Sequence, residues 1–436
     1  MKSLACFLFI LPIVLQSQNL PGSKRNQPEP PAAVLKWLRK SGLSLRESGQ
    51  ICSGVLSKYQ VVGLGEATHG QHEAFETKRN LTMQLIREHG YRLVAYEASA
   101  SSAVGCDDYI SGRSDDRAAA IRSLGMLIWQ VEENGALLDD LRAWNEKASP
   151  EDQVKFIGID AQDEEAMLER LDVLCGEKNR HLAQDARKLI EQGQSALQKL
   201  FTEGNQSELD QVMSHLIAWE EAVKETEVAK LSETALRMME LRSYLTMYAT
   251  PGGRDQAMAA LLLAQLQNEK TGTGCVIWGH NGHISKGPLR YLGSEELAMG
   301  GHLARELAEK YYAVGFAFGE GEFQANAQNQ EGVWGFRRYK ISPAPKGSLD
   351  ACLTIANKGD FLIDLRNAPA TPAIRKWLTT GHGHRWWGGY NISDDCDERS
   401  KQVSQLLKTW PKEEYDAFIF LQKTSAATPV DKTRIW

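Results

Sequence analysis

Short apolar runs alternate with longer stretches of helical period along most of this chain. "VVGLG" (61–65), "RLVAY" (92–96) and "VKFIGI" (154–159) are too short for helices and are bounded by polar residues, which predicts buried strands. Between them, stretches such as "KRNLTMQLIREHG" (78–90) space their apolar positions for one helical face and end at a glycine. After Asp160 the strand signal stops. No proline occurs between Pro150 and Pro251, and polar helical patterns such as "QDARKLIEQGQSALQKLF" and "ELDQVMSHLIAWEEAVKE" fill the interval. Beyond "TPGGRDQAM" the runs "GCVIWGH", "YAVGFAFGEG", "DFLIDLR" and "YDAFIFLQ" restore the strand pattern. The expected fold is α/β: a mostly parallel central sheet flanked by helices, built from 32–160 and 251–436, with an all-helical insertion over 161–250.

The first residues change the picture at one end. Lys2 followed by an apolar run from Leu4 to Leu15 is too short to span a bilayer and has the shape of a secretory signal, expected over 1–17. A polar, proline-rich leader over 18–31 follows, so a periplasmic or secreted protein is expected, with no stable membrane span. Composition adds exclusions. At 436 residues the chain buries a full core, and a net charge of -6 without a basic run argues against a nucleic-acid partner. Cys52, Cys106, Cys175, Cys275, Cys352 and Cys396 show no C-x-x-C spacing and read as buried small hydrophobes.

Candidate chemistry lies where the runs stop. "VVGLGE" ends at Glu66, "RLVAYE" at Glu97, "VKFIGID" at Asp160 and "GCVIWGH" at His280. In open parallel sheets ligands bind beyond the carboxyl ends of the strands, so these groups are expected to converge on one crevice. Glu66 and His69 are close enough for the carboxylate to orient the imidazole, and His280 and His283 repeat that spacing. His382 and His384, in "TTGHGHRWWGGY", read as a loop near the cleft at best. No G-x-S-x-G, P-loop or Rossmann glycine pattern occurs. The residues point to a hydrolase in which water attacks, a histidine is the general base and other charges stabilise the oxyanion. Two alternatives stay open: a metal-dependent hydrolase holding its ion with Glu66, His69 and His280, and a binding protein that keeps the scaffold without turnover.

The stretches "GLGEATHGQHEAFETK", "LVAYEAS", "VKFIGIDAQ", "RDQAMA" and "VIWGHNGHIS", in this order, resemble the erythromycin esterase family, and "MGGHLAREL" and "YAVGFAFGEGEF" also fit. The resemblance implies an α/β core with a helical insertion. It also implies hydrolysis of an ester or lactone, best known for 14-membered macrolides, without a cofactor or obligatory metal. Carried over, His69 is the base that activates water, Glu66 and Glu97 hold and tune it, and His280 completes the catalytic set. His283, Lys78, Asp160 and Arg254 fall to substrate binding or the oxyanion. Where the macrolide esterases carry an arginine downstream of the histidine, this chain has Lys78 with Arg79 beside it; lysine keeps the charge but loses the bidentate fork.

Overall fold

A computed structural model describes residues 29–230, 233–356, 359–390 and 392–436. The expected signal sequence and most of the leader lie outside the described residues. Eleven strands are present among them: β1 (Leu43–Ser44), β2 (Val61–Leu64), β3 (Tyr91–Ser99), β4 (Lys155–Asp160), β5 (Gly274–Trp278), β6 (Tyr311–Gln328), β7 (Trp334–Ile341), β8 (Phe361–Asp364), β9 (His382–His384), β10 (Leu407–Thr409) and β11 (Ala417–Thr424). The main sheet runs β1-β8-β11-β6-β2-β5-β3-β4, with β7 paired to the outer half of β6. From β11 to β4 every pairing is parallel; β8 and β1 close one edge antiparallel. This is the mostly parallel α/β fold that the alternation predicts. β2 and β5 are buried at every position, as central strands covered by helices on both faces must be.

The strand order fixes where a cleft can open. From β2 the chain runs through the helix His72–His89 to β3, on the far side of β5; from β5 it runs through Met299–Leu307 to β6, on the far side of β2. The crossovers leave β2 and β5 in opposite directions, so the order reverses between these two neighbours and a crevice opens at their carboxyl ends. The two connections cover opposite faces. Phe75, Leu81, Leu85 and Ile86 join one core cluster, whereas Met299 and Leu303 join the other. Gly90, with φ 71, ends the helix His72–His89 in the left-handed conformation that glycine adopts most easily.

Between β4 and β5 the described chain is helical: Glu164–Cys175, Arg180–Glu203, Ser207–Lys224, Thr234–Thr246 and Gly253–Gln267. The first four share their own core, centred on Leu189, Leu216, Trp219, Leu241 and Leu245. The six cysteines from Cys52 to Cys396 are buried, as their reading as small hydrophobes expects, and none is paired in the structure. Sequence reading missed the β6–β7 hairpin. Gln324 and Asn326 interrupt the apolar run of β6 with polar residues, although the strand continues through them.

Candidate active site

The exit from β2 is irregular because it is stitched to two neighbours. Gly65 N–H donates to the Val314 carbonyl and Asn281 N–H to the Glu66 carbonyl, both at 2.9 Å. A Cβ on Gly65 would lie 2.2 Å from Asn281 Oδ1, so only glycine lets the β2 and β5 exits abut. This places Glu66 and His69 over the crevice before the helix His72–His89 begins.

Glu66 is the hinge of the first half of the site. Its Oε1 accepts from His69 Nδ1 at 2.7 Å, and its Oε2 from Lys78 Nζ at 2.5 Å. With Nδ1–H bonded to the carboxylate, the His69 lone pair is on Nε2. The His69 ring stands edge-on to Trp129 at 4.6 Å and lies 4.9 Å from His280. Lys78 is wholly buried, over the faces of Trp278 and Phe75 at 4.6 and 5.1 Å. Burial pushes its ammonium down from the ordinary lysine value, with the Glu66 charge pulling against it. Lys78 therefore does not line the cleft, as the substrate-binding expectation had it; it braces Glu66 from behind.

The second half is a denser charge network. Glu97 Oε1 accepts from Arg254 Nη2 at 3.0 Å and faces His283 Nε2 at 3.3 Å, while Oε2 accepts the His280 backbone N–H at 2.8 Å. His283 Nδ1 lies 2.9 Å from Asp255 Oδ1. Burial alone would push His283 down, but Asp255 and Glu97 on its two nitrogens raise it to about 10, so it is an imidazolium at neutral pH. The 3.2 Å approach of Arg254 Nη1 to His283 Nε2 is then donor facing donor, compensated by the Glu97 carboxylate that both share. Against the same burial, His283, His69 and Arg254 hold Glu97 well below the usual carboxylate range. Asp160 Oδ2 accepts from Arg254 Nε and Nη2 at 3.1 and 2.7 Å. Asp160 is buried and clamps Arg254, whose side chain is 22% exposed.

His280 joins the two halves with no nitrogen to spare. Its Nδ1 accepts from the Gly282 N–H at 3.1 Å, and its Nε2 donates to the Trp387 carbonyl at 3.1 Å. Burial, reinforced by His69, pushes it well below the ordinary histidine value, so it is neutral. Sequence reading placed His280 among the catalytic groups; the structure puts its ring beside His69 with both nitrogens hydrogen-bonded. The metal-ligand set of Glu66, His69 and His280 does not assemble. Both Glu66 oxygens and both His280 nitrogens are committed, and among the described residues no group of three or more acidic, histidine or cysteine side chains is arranged to hold a metal ion.

The cluster "GHGHRWWGGY" divides. His382 packs against Trp377, and His384 is buried beside Asp350 and Asn281. The residues that follow form the roof of the site: Trp387 N–H donates to the Ala67 carbonyl at 3.0 Å, Trp386 stands edge-on to His280 at 4.7 Å, and Gly389 presses on His69. Asp255 and Trp129 escaped sequence reading, which took the roof segment only as a loop near the cleft. Asp255 had a local signal, since it follows Arg254 in the quoted "RDQAMA"; Trp129, from a remote segment, had none.

Comparisons with known proteins agree with this architecture. The Erythromycin esterase family model matches residues 86–424. A Bacillus subtilis (strain 168) protein named as a hydrolase, YbfO, is 22% identical over 405 residues, covering 84% of each chain. Erythromycin esterase type II of Escherichia coli is 22% identical over 350 residues, covering 72% of this chain and 83% of its own. The crystal structure of a Bacillus cereus protein superposes with a TM-score of 0.73 at 21% identity, over 91% of this chain and 98% of that one. Family membership and the relatives' names support a hydrolase acting on a small molecule, and among the described residues no helix is long and apolar enough to cross a membrane. The chain belongs to the erythromycin esterase family.

Proposed function

We propose that this protein hydrolyses carboxylic esters with a water activated by His69, and that macrolide lactones are its substrate class. The observation that carries the reading is the Lys78–Glu66–His69 chain, which fixes the imidazole through Nδ1 and leaves Nε2 basic. Water adds to the ester carbonyl carbon while its proton passes to His69 Nε2. The oxyanion that forms is stabilised by Arg254, whose exposed part faces solvent from a network of buried carboxylates and the His283 imidazolium. Collapse breaks the carbon–oxygen bond, and His69 returns its proton to the leaving alkoxide. A lactone thus becomes an open-chain hydroxy acid with one added water, and no cofactor is consumed. Glu97 and Asp160 hold Arg254, and His280 holds the ring of His69 in place.

The macrolide assignment takes its support from the erythromycin esterase among the relatives, and the N-terminal sequence supports placing the activity outside the cytoplasm. Incubation with a panel of macrolides and simpler lactones, read by mass spectrometry, tests both levels. Addition of one water to a macrolide supports the full proposal; addition to simple lactones alone removes the macrolide class; no addition to any member sinks esterase activity.

A further inference from the structure

Buried polar side chains find partners in folded proteins, so a cluster of them without partners needs an explanation. Several such groups belong to segments that meet at His69. Gln324 and Asn326 on β6 are 1% and 0% exposed, yet among the described residues neither the oxygen nor the nitrogen of either amide has a hydrogen-bond partner. Thr68 Oγ1 and Trp129 Nε1 are buried and unpartnered in the same way.

The segments that carry these groups touch His69 or its immediate neighbours. Thr68 precedes His69 in the chain, and the Trp129 ring stands against the His69 ring. Gln324 N–H donates to the Gly70 carbonyl at 3.1 Å, and Asn326 N–H to the Gly389 carbonyl at 2.7 Å; Gly70 follows His69, and Gly389 rests on its ring. Being two apart on a strand, the amides share a face, opposite the one through which Phe323 stacks on Trp387. The inventory is neutral: two amides that both donate and accept, a hydroxyl that does the same, and an indole donor. Such a set matches hydroxyl and carbonyl groups and offers no counter-charge to a carboxylate or phosphate.

We infer that Gln324 and Asn326, with Thr68 and Trp129, form a recognition subsite for a neutral, hydroxyl-rich portion of the ester that His69 cleaves. The inference rests on the reading of His69 as the hydrolytic centre. A subsite built to hydrogen-bond hydroxyls discriminates strongly against an analogue lacking them, because its own groups are then left unpaired.

The test uses 6-O-butyrylglucose and cyclohexylmethyl butyrate, which share an acyl group and ring shape but differ in hydroxyls. Hydrolysis is followed by butyrate release for wild type, Gln324→Met, Asn326→Leu and Thr68→Val, alongside Tm. The expected result is a loss in kcat/KM of roughly 10²-fold on the glucose ester, with little change on the cyclohexyl ester and an unchanged or higher Tm. Equal losses on both esters, or none on either, overturn the subsite; Thr68→Val, which removes one hydroxyl with little change of shape, guards against misreading a folding defect. Calorimetric titration of both esters into His69→Ala protein separates this inference from the esterase reading. If wild type hydrolyses neither ester but His69→Ala binds the glucose ester preferentially, the esterase reading fails and the subsite stands. Binding without preference overturns the subsite whatever the turnover.

Discussion

The two halves of the site use the same residue types to opposite ends. Around Glu66, one carboxylate serves one cation and one imidazole, and the second imidazole nitrogen is left for chemistry. Around Glu97, two further carboxylates, Asp160 and Asp255, close on Arg254 and His283 until each has its charge matched. A histidine with a carboxylate on one side is a base in waiting; a histidine with one on each side is a fixed cation. Their difference shows that residue type alone does not assign a role here, and that the number of partners does.

The sharpest way to break this contrast is His69→Ala. Loss of a general base predicts a fall in kcat of about 10³-fold in ester hydrolysis with the fold intact, since the ring holds no structural element together. Near wild-type turnover would erase the functional side of the comparison. Next in size is Lys78→Met, which leaves the Glu66 carboxylate buried and unpaired on that side; a destabilisation of about 3–5 kcal/mol is expected in urea unfolding, against little change if Lys78 were a solvated ligand.

Linkage sharpens the other half. The folded value of His283, about 10, is above its ordinary 6.5, so its contribution to stability is complete below about pH 6.5 and disappears as pH rises through about 10. Chemical denaturation at stepped pH should show wild type losing stability over that interval. Asp255→Asn, which removes the larger of the two attractions, should be less stable at pH 7 and show a shallower alkaline decline; parallel profiles would disprove the imidazolium. The smallest effect is expected at the roof. A Cβ on Gly389 would lie 2.9 Å from His69 Cδ2, so Gly389→Ala should shift the imidazole by a few tenths of an ångström. A fall in kcat of about tenfold with a cost near 1 kcal/mol is expected from rate assays and Tm, because small misplacements of a catalytic group are felt in the rate.

Much of this was legible along the chain because the parallel sheet imposes a simple rule. Strands buried on both faces write continuous apolar runs, and their carboxyl ends mark the cleft, which is how Glu66, Glu97, Asp160 and His280 could be named together. The rule gives position but not commitment. That Lys78 turns away from the cleft depends on the rings of Phe75 and Trp278 receiving it, and that His280 has no free nitrogen depends on the Trp387 carbonyl, more than a hundred residues away. Such partners meet only through tertiary packing. The amides of Gln324 and Asn326 were hidden for a different reason: polar residues in an apolar strand read as a break in the pattern, when the strand carries them inside.

The roof has one further consequence. It is fastened through main-chain groups: Trp387 N–H to Ala67, the Trp387 carbonyl to His280, and the Gly389 carbonyl to Asn326. Peptide groups are present whatever residue occupies a position, so the side chains at 386 and 387 can be varied without cutting these ties. A library randomised at these two positions would explore new linings over an unchanged floor, which makes the segment a natural starting point for testing what the proposed site accepts.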